Sequence, residues 1–122
     1  VAFNLSRVAL LLGALQTGRF EALGAAMDDR IHQPYRASVF PALPALLAAA
    51  REAGAHGACL SGGGSSLLAL VSAEAERVAT ALADAAATAG VGGRTLIADI
   101  SRRGAAVSLD TEQQSEERSV AR

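Results

Sequence analysis

Three consecutive glycines between serines form the stretch of this sequence best suited to chemistry. The run Ser61-Gly62-Gly63-Gly64-Ser65 lies between two short apolar segments. Glycine lacks a Cβ, so such a loop can adopt positive φ and bring its backbone N–H groups close to a ligand. Successive N–H groups that point into one concavity bind anions. The pattern therefore indicates an anion-binding loop, although a turn that needs glycine for its geometry alone has the same composition.

A second segment, Asp29-Arg30-Ile31-His32-Gln33-Pro34-Tyr35-Arg36, places an arginine beside a proline just before a predicted helix. The planar guanidinium of Arg36 matches a carboxylate or phosphate through two parallel hydrogen bonds. The fixed φ of Pro34 would hold that turn in place. The ordinary alternatives are a solvated surface arginine and, for His32, a capping or packing role.

Hydrophobic spacing predicts the helices that precede the glycine loop. The first is amphipathic and ends at Gly18, the second runs from about 20 to 29, and Pro34 interrupts the helical pattern. A third helix is predicted from a Ser38 cap, with Pro41 in its first turn, to Gly54. The predicted buried residues are Leu5, Val8, Ala9, Leu12 and Leu15 in the first helix and Phe40, Leu43, Leu47 and Ala50 in the third.

Residues 58–61 and 67–71 are predicted to be short buried strands on either side of the glycine loop. A fourth helix follows from a Ser72 cap to about Ala89, with Val78, Leu82 and Ala86 buried. The alternation in Arg94–Ser101 predicts a third strand. This order predicts an α+β fold, a small, mostly antiparallel sheet with helices packed on one face.

Composition bounds the classes of function. The 122 residues suit one domain, predicted at 1–109, and the polar residues 110–122 are predicted to be a disordered tail. A net charge of −1 gives no electrostatic reason to expect nucleic acid or an anionic membrane as partner. No apolar run reaches the roughly 20 residues of a membrane span. The single Cys59 excludes an internal disulfide and suits a reducing cytoplasm, and its apolar neighbours predict a buried, inert thiol.

The two chemical segments together resemble a known family. Leu-Ser-Gly-Gly-Gly-Ser-Ser after a strand is similar to the third conserved motif of the GHMP kinases. Pro34-Tyr35-Arg36, followed by Phe40-Pro41, resembles the homoserine kinases within that superfamily. The resemblance extends over residues 1–109 and implies the ferredoxin-like C-terminal domain of such a kinase.

The resemblance implies roles for matching residues only. Arg36 would bind the carboxylate of L-homoserine, with His32 and Gly62 beside it. Ser61, Gly62, Gly63, Gly64 and Ser65 would form the loop close to the transferring phosphate of ATP. Two departures affect the pose of that loop: the family commonly has proline where Ser65 stands, and alanine or serine where Gly63 stands.

Other parts of the family pattern are absent from this sequence. A second Gly/Ser-rich loop that holds the ATP phosphates, and an acidic residue that helps to hold Mg²⁺, belong to an N-terminal kinase domain. The chain also begins with Val inside a predicted helix. We therefore expect a fragment that is inactive alone, contains no metal ligands or catalytic residue of its own, and pairs with an N-terminal kinase domain.

Three alternatives stay open at the level of sequence. Another GHMP kinase would share the loop, although its substrate would lack the amino-acid carboxylate that Arg36 is expected to bind. A non-catalytic module that binds an amino acid would need no nucleotide loop. A domain that only forms a homodimer would suit a thin sheet with an open edge.

Overall fold

The computed structural model describes residues 1–107, which form an α+β fold, as the sequence predicted. One antiparallel β-hairpin is combined with a series of helices. In chain order the elements are α1 (Ala2–Thr17), a 3₁₀ turn (Phe20–Ala22), α2 (Leu23–Ala26), α3 (Gln33–Val39), α4 (Leu43–Glu52), β1 (Gly57–Ser61), β2 (Ser66–Leu70) and α5 (Ala75–Thr88).

The hairpin carries the glycine loop at its tip. Strand β1 pairs with β2 in a register that sets Gly57 opposite Leu70 and Ser61 opposite Ser66. Strand β1 is the more buried of the two. Gly57 permits α2 to lie directly against β1, because a Cβ there would come within 2.8 Å of the Leu23 carbonyl oxygen.

The core is small and rich in alanine. Ala50 of α4, Ala58 of β1 and Val78 of α5 are buried together, and Leu82 packs against them. Side chains this small let the two helices and the sheet approach closely, which compensates for the low aromatic content. Leu43, at the start of α4, is the largest fully buried side chain in the described part of the chain.

The prediction for the buried face of α1 was wrong. Leu5, Val8, Leu12 and Leu15 are exposed, with Leu5 at 69% and Leu12 at 56%, whereas Ala14 is buried. The helix is apolar around most of its circumference, so periodicity alone could not select the packed side. Within residues 1–107, none of the helices has the length and apolar character needed to cross a membrane.

The predicted break at Pro34 is instead the start of a helix. Pro34 lies in the first turn of α3, where its missing N–H leaves no hydrogen bond unmade. The predicted third helix is therefore two helices, and the chain bends at Phe40 before α4 begins at Leu43. Ser38 does not cap α4; its hydroxyl donates to the Tyr35 carbonyl within α3.

Two further predictions about the second half of the chain need correction. Ser72 does not cap α5, because Glu74 occupies the N-cap position and Ser72 instead shares a hydrogen bond with His56. Arg94–Ser101 is not a strand: residues 91–107 have no regular structure, and Leu96 and Ile100 are each 84% exposed. A strand requires a partner, and no other described residue pairs with this segment. The predicted tail at 110–122 lies outside the described residues.

Replacing Leu43 with alanine should lower the free energy of unfolding by about 2–5 kcal/mol, because a fully buried leucine leaves a cavity when truncated. Val39→Ala is the matched control and should cost about 0.5 kcal/mol or less, since that side chain is 60% exposed. Urea unfolding of the two variants measures both values. Equal losses would contradict the assignment of Leu43 to the core.

Candidate functional site

The glycine loop is the exposed tip of the hairpin and lies between the paired residues Ser61 and Ser66. Gly62 has φ of +68°, a backbone conformation that favours glycine, and follows directly on Ser61. A Cβ built on Gly62, Gly63 or Gly64 would meet no atom within 4 Å. Packing within the described chain therefore does not require glycine at Gly63 or Gly64. Space around their backbone remains for a ligand or another part of the protein.

Asp29 caps helix α3. Its carboxylate accepts hydrogen bonds from the backbone N–H groups of Ile31 (2.8 Å), His32 (2.9 Å) and Gln33. The Gln33 N–H is the first of α3 and has no partner within the helix, and Ile31 and His32 lead into it, so an acidic side chain here stabilises the helix start. Asn4 of α1 donates to the same carboxylate at 2.6 Å and accepts from the Arg30 N–H at 3.1 Å. Asp29 thus joins α1 to the helix that carries Arg36.

The surroundings of Asp29 favour its ionised form. Desolvation acts to raise its pKa, but the hydrogen bonds from Asn4 and from the three backbone N–H groups outweigh it and lower the pKa from 3.8 to about 2. The carboxylate is therefore ionised at neutral pH and serves as a fixed acceptor. A general acid or base that works near neutral pH needs a pKa close to that pH, so Asp29 is not suited to this role.

Arg36 reaches the glycine loop from α3. Its Nη2 donates to the Gly64 carbonyl at 3.1 Å. Its Nε is buried and has no hydrogen-bond partner among the described residues. Buried donors are rarely left unpaired, so this nitrogen calls for a partner that the described residues do not supply. Arg36 and Gly64 are 28 positions apart, so this bond brings together the two segments singled out in the sequence.

The structure places three of the other predicted site residues at exposed positions. His32 is exposed, and within residues 1–107 its ring makes no hydrogen bond to Arg36. Ser61 and Ser65 are exposed at the two ends of the loop. The roles of these residues in binding remain predictions.

Sequence reasoning missed Gln33. Its side-chain Oε1 accepts the Leu60 N–H at 2.9 Å, which joins α3 to β1 one residue before Ser61. Asp29 had a usable signal, because an aspartate shortly before a proline in a first helical turn is typical of a helix start. Nothing local distinguishes Gln33, since its partner lies 27 positions away.

Other potentially reactive groups lie outside this site. His56 Nε2 and Ser72 Oγ are 2.6 Å apart at the end of the hairpin opposite to the loop, and the His56 ring packs against Phe20. Cys59 is half-buried rather than buried, and desolvation raises the pKa of its thiol. A thiol with a raised pKa is a poor nucleophile. Within residues 1–107, no three His, Cys, Asp or Glu side chains group as metal ligands.

The lowered pKa of Asp29 predicts a specific loss of stability in acid. The folded state binds a proton less readily than the unfolded state, so the carboxylate stabilises the fold above pH 3.8 and stops doing so as the pH falls towards 2. Asp29→Asn should lower the melting temperature at pH 6, and the difference from the unaltered chain should shrink towards pH 2. Thermal unfolding followed by circular dichroism measures this. Asp84→Asn, at an exposed position of α5, is the control; an equal pH-dependent effect there would contradict the prediction.

Comparison with known proteins identifies the family of this chain. Residues 11–88 match the family described as GHMP kinases C terminal. The chain is 40% identical over 107 residues to a homoserine kinase of Persephonella marina, and 43% identical over 106 residues to one of Desulfitobacterium hafniense. A homoserine kinase of Thermosynechococcus vestitus is 44% identical over 106 residues.

These alignments cover most of this chain but little of the relatives. They include 88%, 86% and 86% of the chain, and only 36%, 36% and 35% of the three kinases, in the same order. The chain therefore spans about a third of the length of the curated relatives it matches. No solved structure matched it. The chain belongs to the GHMP kinase family, and what it matches in that family is the C-terminal domain.

Proposed function

We propose that this chain is the C-terminal domain of a homoserine kinase, which transfers the γ-phosphate of ATP to the hydroxyl of L-homoserine in threonine biosynthesis. One observation carries the proposal: Arg36 lies against the glycine loop, so an amino-acid carboxylate and a phosphate would be bound side by side. The curated relatives named above are homoserine kinases, which supports the same substrate.

In this proposal Arg36 binds the substrate carboxylate. Each Nη of the guanidinium carries two hydrogens, so the bond from Nη2 to the Gly64 carbonyl leaves one hydrogen of Nη2 and both of Nη1 for a ligand. A guanidinium that binds a carboxylate through two parallel hydrogen bonds fixes the orientation of the amino acid as well as its position. The side-chain hydroxyl of homoserine would then be directed towards the phosphate.

The glycine loop would contribute backbone N–H groups close to the transferring phosphoryl group. The backbone from Ser61 to Ser65 has open space around it, so a phosphate could approach without meeting a side chain at Gly62, Gly63 or Gly64. N–H donors held near the developing charge stabilise the transition state of phosphoryl transfer. In this proposal the domain contributes the positioning of the substrate and of the phosphate.

ATP and Mg²⁺ would be held mainly by an N-terminal kinase domain. Mg²⁺ prefers carboxylate oxygens together with those of the substrate phosphates. Phosphoryl transfer needs both parts, so the chain alone would be inactive. A cytoplasmic location and a homodimer belong to the same proposal, as does the division into a domain at 1–109 and a tail at 110–122.

Arg36→Ala in the full-length protein should raise the KM for homoserine about 10-fold or more, because a charged hydrogen bond contributes about 1.5–3 kcal/mol. The KM for ATP should change little. Steady-state kinetics with each substrate varied in turn measures the two effects. Arg36→Lys should recover only part of the loss, since lysine retains the charge without the planar pair of donors.

Arg30→Ala is the matched control for this prediction. Arg30 belongs to the same segment, but its guanidinium lies over the Phe3 ring, 3.9 Å from the centroid, instead of at the loop. Its removal should leave both KM values nearly unchanged. Comparable rises in both KM values for Arg36→Ala would assign Arg36 to general structure. Failure of the unaltered protein to phosphorylate homoserine would leave another GHMP kinase or an amino-acid-binding module.

Gly64→Ala should leave the melting temperature unchanged and lower kcat. A Cβ at Gly64 meets no atom of the described chain, so a loss of activity reports a ligand that approaches the backbone there. Gly92→Ala, also in open space, is the control and should affect neither property. Melting temperature and kcat are measured for both variants. Unchanged kcat in Gly64→Ala would contradict the proposed closeness of this loop to the phosphate.

A further inference from the structure

Side chains from two helices form hydrogen bonds with the edge of β1 that faces away from β2. In an antiparallel pair, alternate residues direct their N–H and C=O groups away from the partner strand. On β1 the Leu60 N–H is bonded to Gln33 Oε1 at 2.9 Å, and the Ala58 carbonyl accepts from Arg51 Nη2 at 3.3 Å. One bond comes from α3 and the other from α4, so each helix is joined to the strand at its own point.

Gln33 is held at both ends. Its backbone N–H is bonded to the Asp29 carboxylate, and its side chain is bonded to β1. It precedes Arg36 by three residues on the same helix, and residues three apart lie on one side of a helix. Leu60 directly precedes Ser61, where the glycine loop begins to leave the sheet. A single side chain therefore connects the helix that carries the arginine to the strand that carries the loop.

The direct contact between Arg36 and the loop cannot by itself fix their separation. That contact ends on the carbonyl of Gly64, in an exposed run of three glycines whose backbone is easily displaced. The Leu60 N–H lies within a paired strand, which is a much firmer support. The position of Arg36 relative to the loop then depends on the bond made by Gln33.

We infer that Gln33 is a positioning residue, which sets the distance between the carboxylate-binding Arg36 and the phosphate-proximal loop through its bond to the Leu60 N–H. Asp29 supports it by capping the helix from which it projects. The expected change in KM rests on the proposed function, whereas the structural role of Gln33 does not. Gln33 touches neither substrate nor phosphate in this role.

Gln33→Met in the full-length protein is the test. Methionine has a similar length and no acceptor, so the Leu60 N–H loses its partner. The KM for homoserine should rise about 10-fold, since a small misplacement of a binding group has effects of this size or larger, with the KM for ATP changed by less than about 2-fold.

Arg51→Met provides the matched control. It removes the other hydrogen bond to the outer edge of β1, at Ala58, together with the ion pair to Asp28. It should lower the melting temperature while leaving both KM values unchanged. If Gln33→Met affects only the melting temperature, as Arg51→Met does, the inference is overturned.

Hydrogen exchange separates this inference from the proposed function. In Gln33→Met, the amide of Leu60 and those of the paired residues Ser61 and Ser66 should exchange about 10-fold faster than in the unaltered protein, and Arg51→Met should not reproduce this. This readout needs no catalytic activity. If the unaltered protein fails to phosphorylate homoserine but the exchange pattern appears, the proposed function fails and the positioning role stands. If the exchange at Leu60, Ser61 and Ser66 is unchanged, the positioning role fails.

Discussion

The cap that Asp29 places on helix α3 is the interaction on which the candidate site depends. A helix of seven residues is too short to be stable through its own hydrogen bonds. The carboxylate satisfies three N–H groups at its start, and Asn4 ties the same carboxylate to α1. Without a fixed start, α3 could not present Arg36 in one direction. The lowered pKa of Asp29 has its origin in these same hydrogen bonds.

The hairpin supplies the second half of the site with little core material. Alanines in α4 and β1 allow close packing, and Gly57 lets α2 lie against the strand. Close packing keeps β1 rigid although few large side chains are buried. The glycine loop at the tip, by contrast, has no packing of its own. A firm strand with an open tip is a suitable arrangement for a backbone that contacts a ligand.

The chain spans about a third of the length of the curated relatives that it matches. Several expectations that the structure corrected concern apolar residues without a partner in the described chain. Leu5 and Leu12 on α1 are exposed, and so are Leu96 and Ile100 in the segment predicted to be a strand. Amphipathic patterns predict burial, but they do not specify what covers the apolar side.

Local sequence determined α1, the two strands with the glycine loop between them, α5 and the arginine segment, because turn chemistry and hydrophobic periodicity act over a few residues. It could not choose the packed side of α1, since that helix is apolar around most of its circumference. The prediction of a break at Pro34 was wrong although Asp29, a few positions earlier, is a signal for a helix start. Local sequence likewise gave no reason to select Gln33. Only the tertiary structure brought Arg36 to Gly64 and Gln33 to Leu60, because both hydrogen bonds join residues far apart in the chain and depend on how α3 packs against the hairpin.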